Sequence, residues 1–208
     1  MSEPLLQALD ISCERGARAL FQPINFELHA GQAIHLEGDN GAGKTTLLRC
    51  LSGLSSWAQG RLVWRGVNAH PRDAAFKRDL LFLGHALGLK DELSALENVQ
   101  LNAALGGYII SHDTAMQALT TQGLKGRTHL PLRVLSQGQK RRVALARLQV
   151  AQAPIWLLDE PFVALDHDAV QALQMLLQQH VAKGGALIFS SHQAVQLGEN
   201  ITSLRLQA

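Results

Sequence analysis

Apolar residues in this chain gather into short unbroken runs, separated by longer stretches with a helical repeat. Ala33–Glu37, Leu80–Gly84, Ile155–Asp159 and Ala186–Ser190 read as strands. The later three are nearly continuous apolar, as strands buried on both faces of a parallel sheet must be. Helical segments alternate with them. One runs from Thr46 to Leu51. Another is capped by Asp166 and runs to about Ala182, with Val170, Leu173, Leu177 and Val181 on one stripe; Lys183 and Gly184-Gly185 close it. Leu5 to Leu28 has short strands broken by Gly16, Pro23 and Asn25, which predicts a small antiparallel sheet packed on the α/β core. Between His85 and Gln139 the strand signals vanish. There Ser94-Ala95-Leu96-Glu97 has capping-box spacing, with helix through Leu105 to Gly106-Gly107 and a second helix over roughly Asp113 to Gln122. A further helix after Gln139 turns Val143, Ala146 and Val150 inward. The pattern predicts one α/β domain. Residues 1–84 and 140–208 form a core with a mainly parallel sheet, and residues 85–139 form an inserted α-helical sub-domain.

Composition adds constraints. The 208 residues suffice for one sizeable core, and 47% hydrophobic against 17% charged residues is a globular balance. A formal net charge of +2 supplies no basic field for nucleic acid. Cys13 and Cys50 stand in unrelated sequence contexts with no metal or disulfide spacing, and Cys50, beside Leu47, Leu48 and Leu51, reads as a buried structural thiol. Met1-Ser2-Glu3-Pro4 lacks the layout of a signal peptide, and no apolar run approaches the roughly 18 residues of a spanning helix, so a soluble cytosolic protein is expected.

The strand Ala33–Glu37 leads into Gly38-Asp39-Asn40-Gly41-Ala42-Gly43-Lys44-Thr45, with Thr46 next. This is the G-x-x-x-x-G-K-[ST] phosphate loop in the strand–loop–helix setting it needs, and it predicts a P-loop NTPase core of the RecA-like type. The glycines let backbone N–H groups converge on phosphate oxygens, and the helix start adds partial positive charge. Lys44 can reach the β- and γ-phosphates, and the Thr45 hydroxyl can ligate Mg²⁺. The chain is expected to bind a nucleoside triphosphate. Ile155–Asp159 ends in two carboxylates. Asp159 suits Mg²⁺, a hard cation that prefers oxygen, and Glu160 can polarise an attacking water. In Leu135-Ser136-Gln137-Gly138-Gln139, Ser136 and Gly138 stand where a helix begins, which offers a second phosphate-binding surface.

Together these residues resemble the ATP-binding cassette (ABC) ATPases over essentially the whole chain. The family signature Leu-Ser-Gly-Gly-Gln is matched by residues 135–139 except at Gln137. Ala164-Leu165-Asp166 resembles the family's D-loop. His192 resembles its switch histidine, which contacts the γ-phosphate and the surroundings of Glu160. The resemblance implies ATP and Mg²⁺ as ligands, with catalytic roles for Lys44, Glu160 and His192. It also implies a head-to-tail homodimer in which Ser136, Gly138 and Gln139 of one copy face the phosphate loop of the other.

Two positions depart from the family pattern. His85 stands where a glutamine usually contacts Mg²⁺ or the lytic water; imidazole is a poor Mg²⁺ ligand, so His85 is expected to hydrogen-bond water or a partner subunit. Arg15 stands where an aromatic residue usually stacks on adenine; its guanidinium can stack there, or it can be a solvated surface side chain. With Leu83–Lys90, Leu93–Asn98, Glu14-Arg15 and Gln139–Arg147, these departures are similar to the ATP-binding subunits of bacterial cytochrome c maturation systems. That implies a peripheral subunit on the cytoplasmic face of the inner membrane. It would work with integral membrane subunits in haem export or release of a haem-loaded chaperone, without inserting into the membrane or binding nucleic acid. No Cys-x-x-Cys-His occurs, so covalent haem is not expected. The Asn-Lys-x-Asp tetrapeptide of guanine-selective GTPases is absent, and so are the tandem cassettes of soluble nucleic-acid-directed relatives.

Overall fold

The structure, a computed structural model, describes residues 3–15, 18–193, 195, 197–198 and 200–207, apart from the side chains of Arg15 and Arg18. Among these residues the strands are β1 (Leu6–Ser12), β2 (Glu14–Arg15), β3 (Arg18–Ala19), β4 (Ile24–Leu28), β5 (Ala33–Glu37), β6 (Gln59–Trp64), β7 (Val67–Ala69), β8 (Leu80–Leu83), β9 (Ile155–Asp159), β10 (Ala186–Ser190) and β11 (Ile201–Arg205). The helices are α1 (Lys44–Leu51), α2 (Ala74–Arg78), α3 (Ala95–Leu105), α4 (His112–Thr121), α5 (Gln137–Val150) and α6 (His167–Ala182). Contacts divide the chain into two compact units. The first comprises Met1–Gly84, Ala153–Pro161 and Leu177–Ala208, and the second His85–Gln152 and Phe162–Leu176.

The first unit carries a five-stranded sheet in the order β11-β5-β10-β9-β8, parallel throughout. Every residue of β9 and β10 is buried, in keeping with their unbroken apolar runs. α1 packs against β9 and β10, and its Leu47, Leu48 and Leu51 are fully buried. Each such side chain contributes about 1.5–3 kcal/mol relative to exposure. β11 was not anticipated: Thr202, Ser203 and Arg205 give it no apolar run, and pairing with β5 at the sheet edge makes it a strand.

The antiparallel sheet has the order β4-β1-β6-β7. The first 28 residues foretold β1 and β4, but β6 and β7 come from residues 59–69. A bulge interrupts β1, where Asp10 adopts φ 53° and exchanges hydrogen bonds with Asn25. One correction concerns the cysteines. Cys13 and Cys50 are not in unrelated surroundings, because their Sγ atoms lie 3.2 Å apart, both buried and both reduced. Their shared hydrogen bond pushes the Cys13 thiol far up and the Cys50 thiol down, and Cys50 Sγ also donates to the Ser56 carbonyl.

In the second unit, α3, α4 and α5 pack on one another around Leu96, Val99, Leu119, Leu132, Val143 and Ala146. Ser94 and Glu97 form the foreseen capping box on α3. α4 starts one residue earlier than the pattern suggested because Ser111 accepts from the Thr114 amide and caps it. Asn98 is fully buried and holds the Lys90 amide together with the carbonyls of Lys90, Leu93 and Ser94. No helix among the described residues is long and apolar enough to cross a membrane.

Candidate functional site

Parallel β5, β10 and β9 lie side by side, so their C-terminal ends share one edge, where ligands of open α/β sheets bind. β5 delivers the phosphate loop there, β9 delivers Asp159 and Glu160, and β10 delivers Ser190 and, two residues on, His192. These elements line a cavity of about 300 Å³ with Leu20, Asp39, Asn40, Gly41, Gly43, Lys44, Thr45, Thr46, Asp159, Glu160 and His192 on its walls. An adjoining cavity of about 660 Å³ is lined by Ala19, Leu20, Gly38 to Ala42, Arg205, Leu206 and Gln207.

The loop between β5 and α1 depends on glycine at its last position. Gly43 adopts φ 97°, and a Cβ there would sit 2.6 Å from the Phe21 ring. α1 begins at Lys44, just past Gly43, which leaves its first amides without partners inside the helix. The Lys44 ammonium is almost buried and donates to the carbonyls of Gly38 (2.6 Å) and Asp39 (3.2 Å). It thus closes the loop on itself. Ala42 is buried beneath the loop, whereas Asp39, Asn40 and Gly41 face outward.

Thr45 Oγ1 donates to Asp159, at 3.0 Å from Oδ1 and 2.9 Å from Oδ2. Asp159 is 2% exposed and receives a further bond from Ser190 Oγ at 2.9 Å. The same hydroxyl accepts the Glu160 amide at 3.0 Å. Glu160 has φ 50°, a left-handed conformation that a side chain adopts only when its surroundings hold it there. Its carboxylate faces His192, with Nε2 to Oε1 at 3.5 Å. His35 on β5 stacks on Phe189 and its Nε2 lies 3.1 Å from the Ser191 carbonyl, which fixes the chain just before His192.

Oxygen donors meet where a divalent cation would sit. Thr45 Oγ1 and the Asp159 carboxylate are hard ligands already within hydrogen-bond distance of each other, and such a set fits Mg²⁺. No group of three or more His, Cys, Asp or Glu that could hold a metal occurs among the described residues, so phosphate and water oxygens would have to complete the shell.

The remaining sequence-predicted residues lie elsewhere in the chain. Ser136, Gly138 and Gln139 open α5 in the helical unit. The Ser136 hydroxyl accepts the Gln139 amide and the Gln139 side chain accepts the Ser136 amide, a second capping box. In the same unit, Asp166 caps α6 by accepting the Ala169 amide and pairs with Arg142. His85 is exposed at the start of the helical unit. Arg15 has its backbone in β2, and its side chain lies outside the described residues.

Sequence reasoning missed Leu20, Arg205 and Ser190. Leu20 and Arg205 belong to segments with no motif. Ser190 was legible only as the last residue of an apolar strand, and its parallel register with Asp159 places it in the site.

Residues 21–163 match the family model described as "ABC transporter". The chain is 43% identical over 204 residues to the cytochrome c biogenesis ATP-binding export protein CcmA of Nitrosospira multiformis, covering 98% of this chain and 99% of that one. It is also 43% identical to the CcmA protein of Methylococcus capsulatus, covering 99% and 100%. Among solved structures, the ATP-binding cassette MJ0796, dimeric and bound to ADP and phosphate after hydrolysis, superimposes with a TM-score of 0.84 at 22% identity. That match covers 98% of this chain and 97% of that one, and it bears on the fold.

Proposed function

The chain belongs to the ABC transporter family of ATPases, and from that premise we propose that it is the ATP-hydrolysing subunit of a membrane complex of cytochrome c biogenesis. One observation carries the catalytic part of this reading. A buried carboxylate bound to the phosphate-loop threonine lies beside a second carboxylate paired with a histidine, all on one sheet edge. The assignment to cytochrome c biogenesis is supported by the names of near-full-length relatives.

In this reading the amides from Gly38 to Thr46 and the Lys44 ammonium bind the triphosphate of ATP. On binding, Lys44 exchanges its bonds to Gly38 and Asp39 for bonds to phosphate oxygens, so the loop is preorganised rather than built by the ligand. Thr45 and Asp159 would hold Mg²⁺, which when bound supplies charge neutralisation to the β- and γ-phosphates. Glu160 orients the attacking water and accepts its proton. His192 holds the Glu160 carboxylate on one side and reaches toward the γ-phosphate on the other. Ser136, Gly138 and Gln139 of a second copy complete the phosphate site, so a homodimer is the active form. His85 hydrogen-bonds water or the membrane partner. The subunit acts at the cytoplasmic face of the inner membrane, bound to integral subunits that serve haem export or release of a haem-loaded chaperone.

The test is isolation of the chain with its integral partners from native membranes, followed by ATPase assay of the complex and measurement of holocytochrome c in cells carrying Lys44→Ala. ATP hydrolysis and loss of holocytochrome c together are the expected result. Normal cytochrome c in cells whose only copy is Lys44→Ala would overturn the biogenesis assignment.

A further inference from the structure

We propose that Ser190 is a positioning residue that couples the metal-binding carboxylate to the catalytic one. The inference rests on the roles proposed for Asp159 and Glu160 but concerns a residue outside every motif in the sequence. Ser190 closes β10, the strand between the phosphate-loop strand β5 and the acidic strand β9. Its register places it opposite Asp159 on one side and Leu36 on the other. It is fully buried.

A hydroxyl has one proton to donate and lone pairs to accept with, and Ser190 uses both functions on the two acids. It donates to Asp159 Oδ1 at 2.9 Å and accepts the Glu160 amide at 3.0 Å. The first bond holds one oxygen of the buried Asp159 carboxylate. With Thr45 donating as well, the carboxylate plane is fixed from two directions. The second bond pins the Glu160 backbone at φ 50°, the strained conformation from which its side chain meets His192. One side chain therefore sets both the rotation of the metal ligand and the exit direction of the base. An apolar residue would serve the strand and the core equally well, so packing gives no reason for a hydroxyl here.

Removal of the hydroxyl leaves a buried amide without its acceptor and takes one donor from a buried carboxylate. The loss of a hydrogen bond to a charged group corresponds to roughly ten- to a hundredfold in an equilibrium or rate. The phosphate loop itself makes no bond to Ser190, so ATP binding without metal is expected to survive.

The experiment uses the purified full-length chain as wild type, Ser190→Ala and Ser190→Thr. ATP affinity is measured by calorimetry with EDTA and across a Mg²⁺ series, alongside steady-state hydrolysis and thermal melting. Ser190→Ala should bind ATP in EDTA like wild type, need on the order of tenfold more Mg²⁺ to reach full affinity, and lose roughly ten- to a hundredfold in kcat. Ser190→Thr, which keeps the hydroxyl, should recover both properties; if its extra methyl prevents folding, Ser190→Ala decides alone. A Ser190→Ala chain with the wild-type Mg²⁺ dependence and kcat would overturn the proposal. So would a folded Ser190→Thr chain as impaired as Ser190→Ala. A wild-type chain that neither binds nor hydrolyses ATP would instead overturn the proposed function beneath it.

Discussion

Replacement of Glu160 by glutamine removes one charge from the site and changes almost nothing else. The amide is isosteric with the carboxylate, the backbone bond from the Glu160 amide to Ser190 Oγ remains, and the Thr45–Asp159 contact is untouched. The side chain is 21% exposed and faces His192, so a neutral amide is easily accommodated. What disappears is the proposed base, because an amide oxygen is far less basic than a carboxylate. General-base catalysis contributes about 10²- to 10⁴-fold in rate, which corresponds to about 2.7–5.4 kcal/mol of transition-state stabilisation. ATP affinity should be unchanged or slightly higher, since a negative charge no longer faces the triphosphate. The bound, uncleaved nucleotide should then hold two copies together. Single-turnover hydrolysis gives the rate, equilibrium binding gives the affinity, and size-exclusion chromatography with ATP gives the dimer. A variant that turns over within about threefold of wild type would remove Glu160 as the base. One that raises KM while keeping kcat would make it a binding residue instead.

Lys44→Ala should all but abolish ATP binding. A unit charge about 4 Å from phosphate at an effective dielectric of about 20 is worth roughly 4 kcal/mol, or nearly three powers of ten in Kd; calorimetry that finds unchanged affinity would sink the loop assignment. With Gly38 to Thr46 as the proposed phosphate-binding residues, His85→Ala should leave ATP affinity intact but lower the hydrolysis stimulated by membrane partners. His85→Gln should be milder, and two variants equal to wild type in the reconstituted complex would take His85 out of the mechanism. His180 predicts a pH effect on stability. Burial lowers its pKa from the ordinary 6.5, outweighing the opposing bonds to the Ala186 and Pro154 carbonyls, and its ring stacks on Trp156 at 3.7 Å. Between 6.5 and the lower folded value the unfolded chain holds more protons, so stability present at neutral pH is lost as the pH falls through that window. His180→Phe should flatten that acid slope in denaturant titrations, and an identical slope in both chains would contradict the reasoning.

Local chemistry made much of this legible before any tertiary information. β5, β9 and β10 appear with the bounds their apolar runs announced. The Ser94 box on α3 and the Asp166 cap on α6 are bonds made within three residues, so the sequence alone suffices to specify them. The phosphate loop belongs to the same class. Its curvature comes from glycines, its charge from the adjacent lysine and its amides from the helix it opens, all within nine consecutive residues.

Contacts across long sequence separations were not legible. β11 is polar and becomes a strand only because β5 offers unpaired backbone groups beside it, 168 positions earlier from Ala33 to Ile201. The two cysteines meet because β1 and α1 share a core, which no spacing rule encodes. The phosphate loop, Asp159 and His192 could be named from motifs, but their meeting on one edge required the strand order β5-β10-β9. That order also turned Ser190, unremarked in a hydrophobic run, into the residue bonded to both acids. The sequence by itself determined which chemistry the chain holds, because that chemistry is carried by contiguous residues with intrinsic conformational and electrostatic preferences. Only the tertiary structure decided which groups lie within hydrogen-bond distance of one another, because strand pairing sets those distances and is selected by burial of the whole sheet rather than by any segment within it.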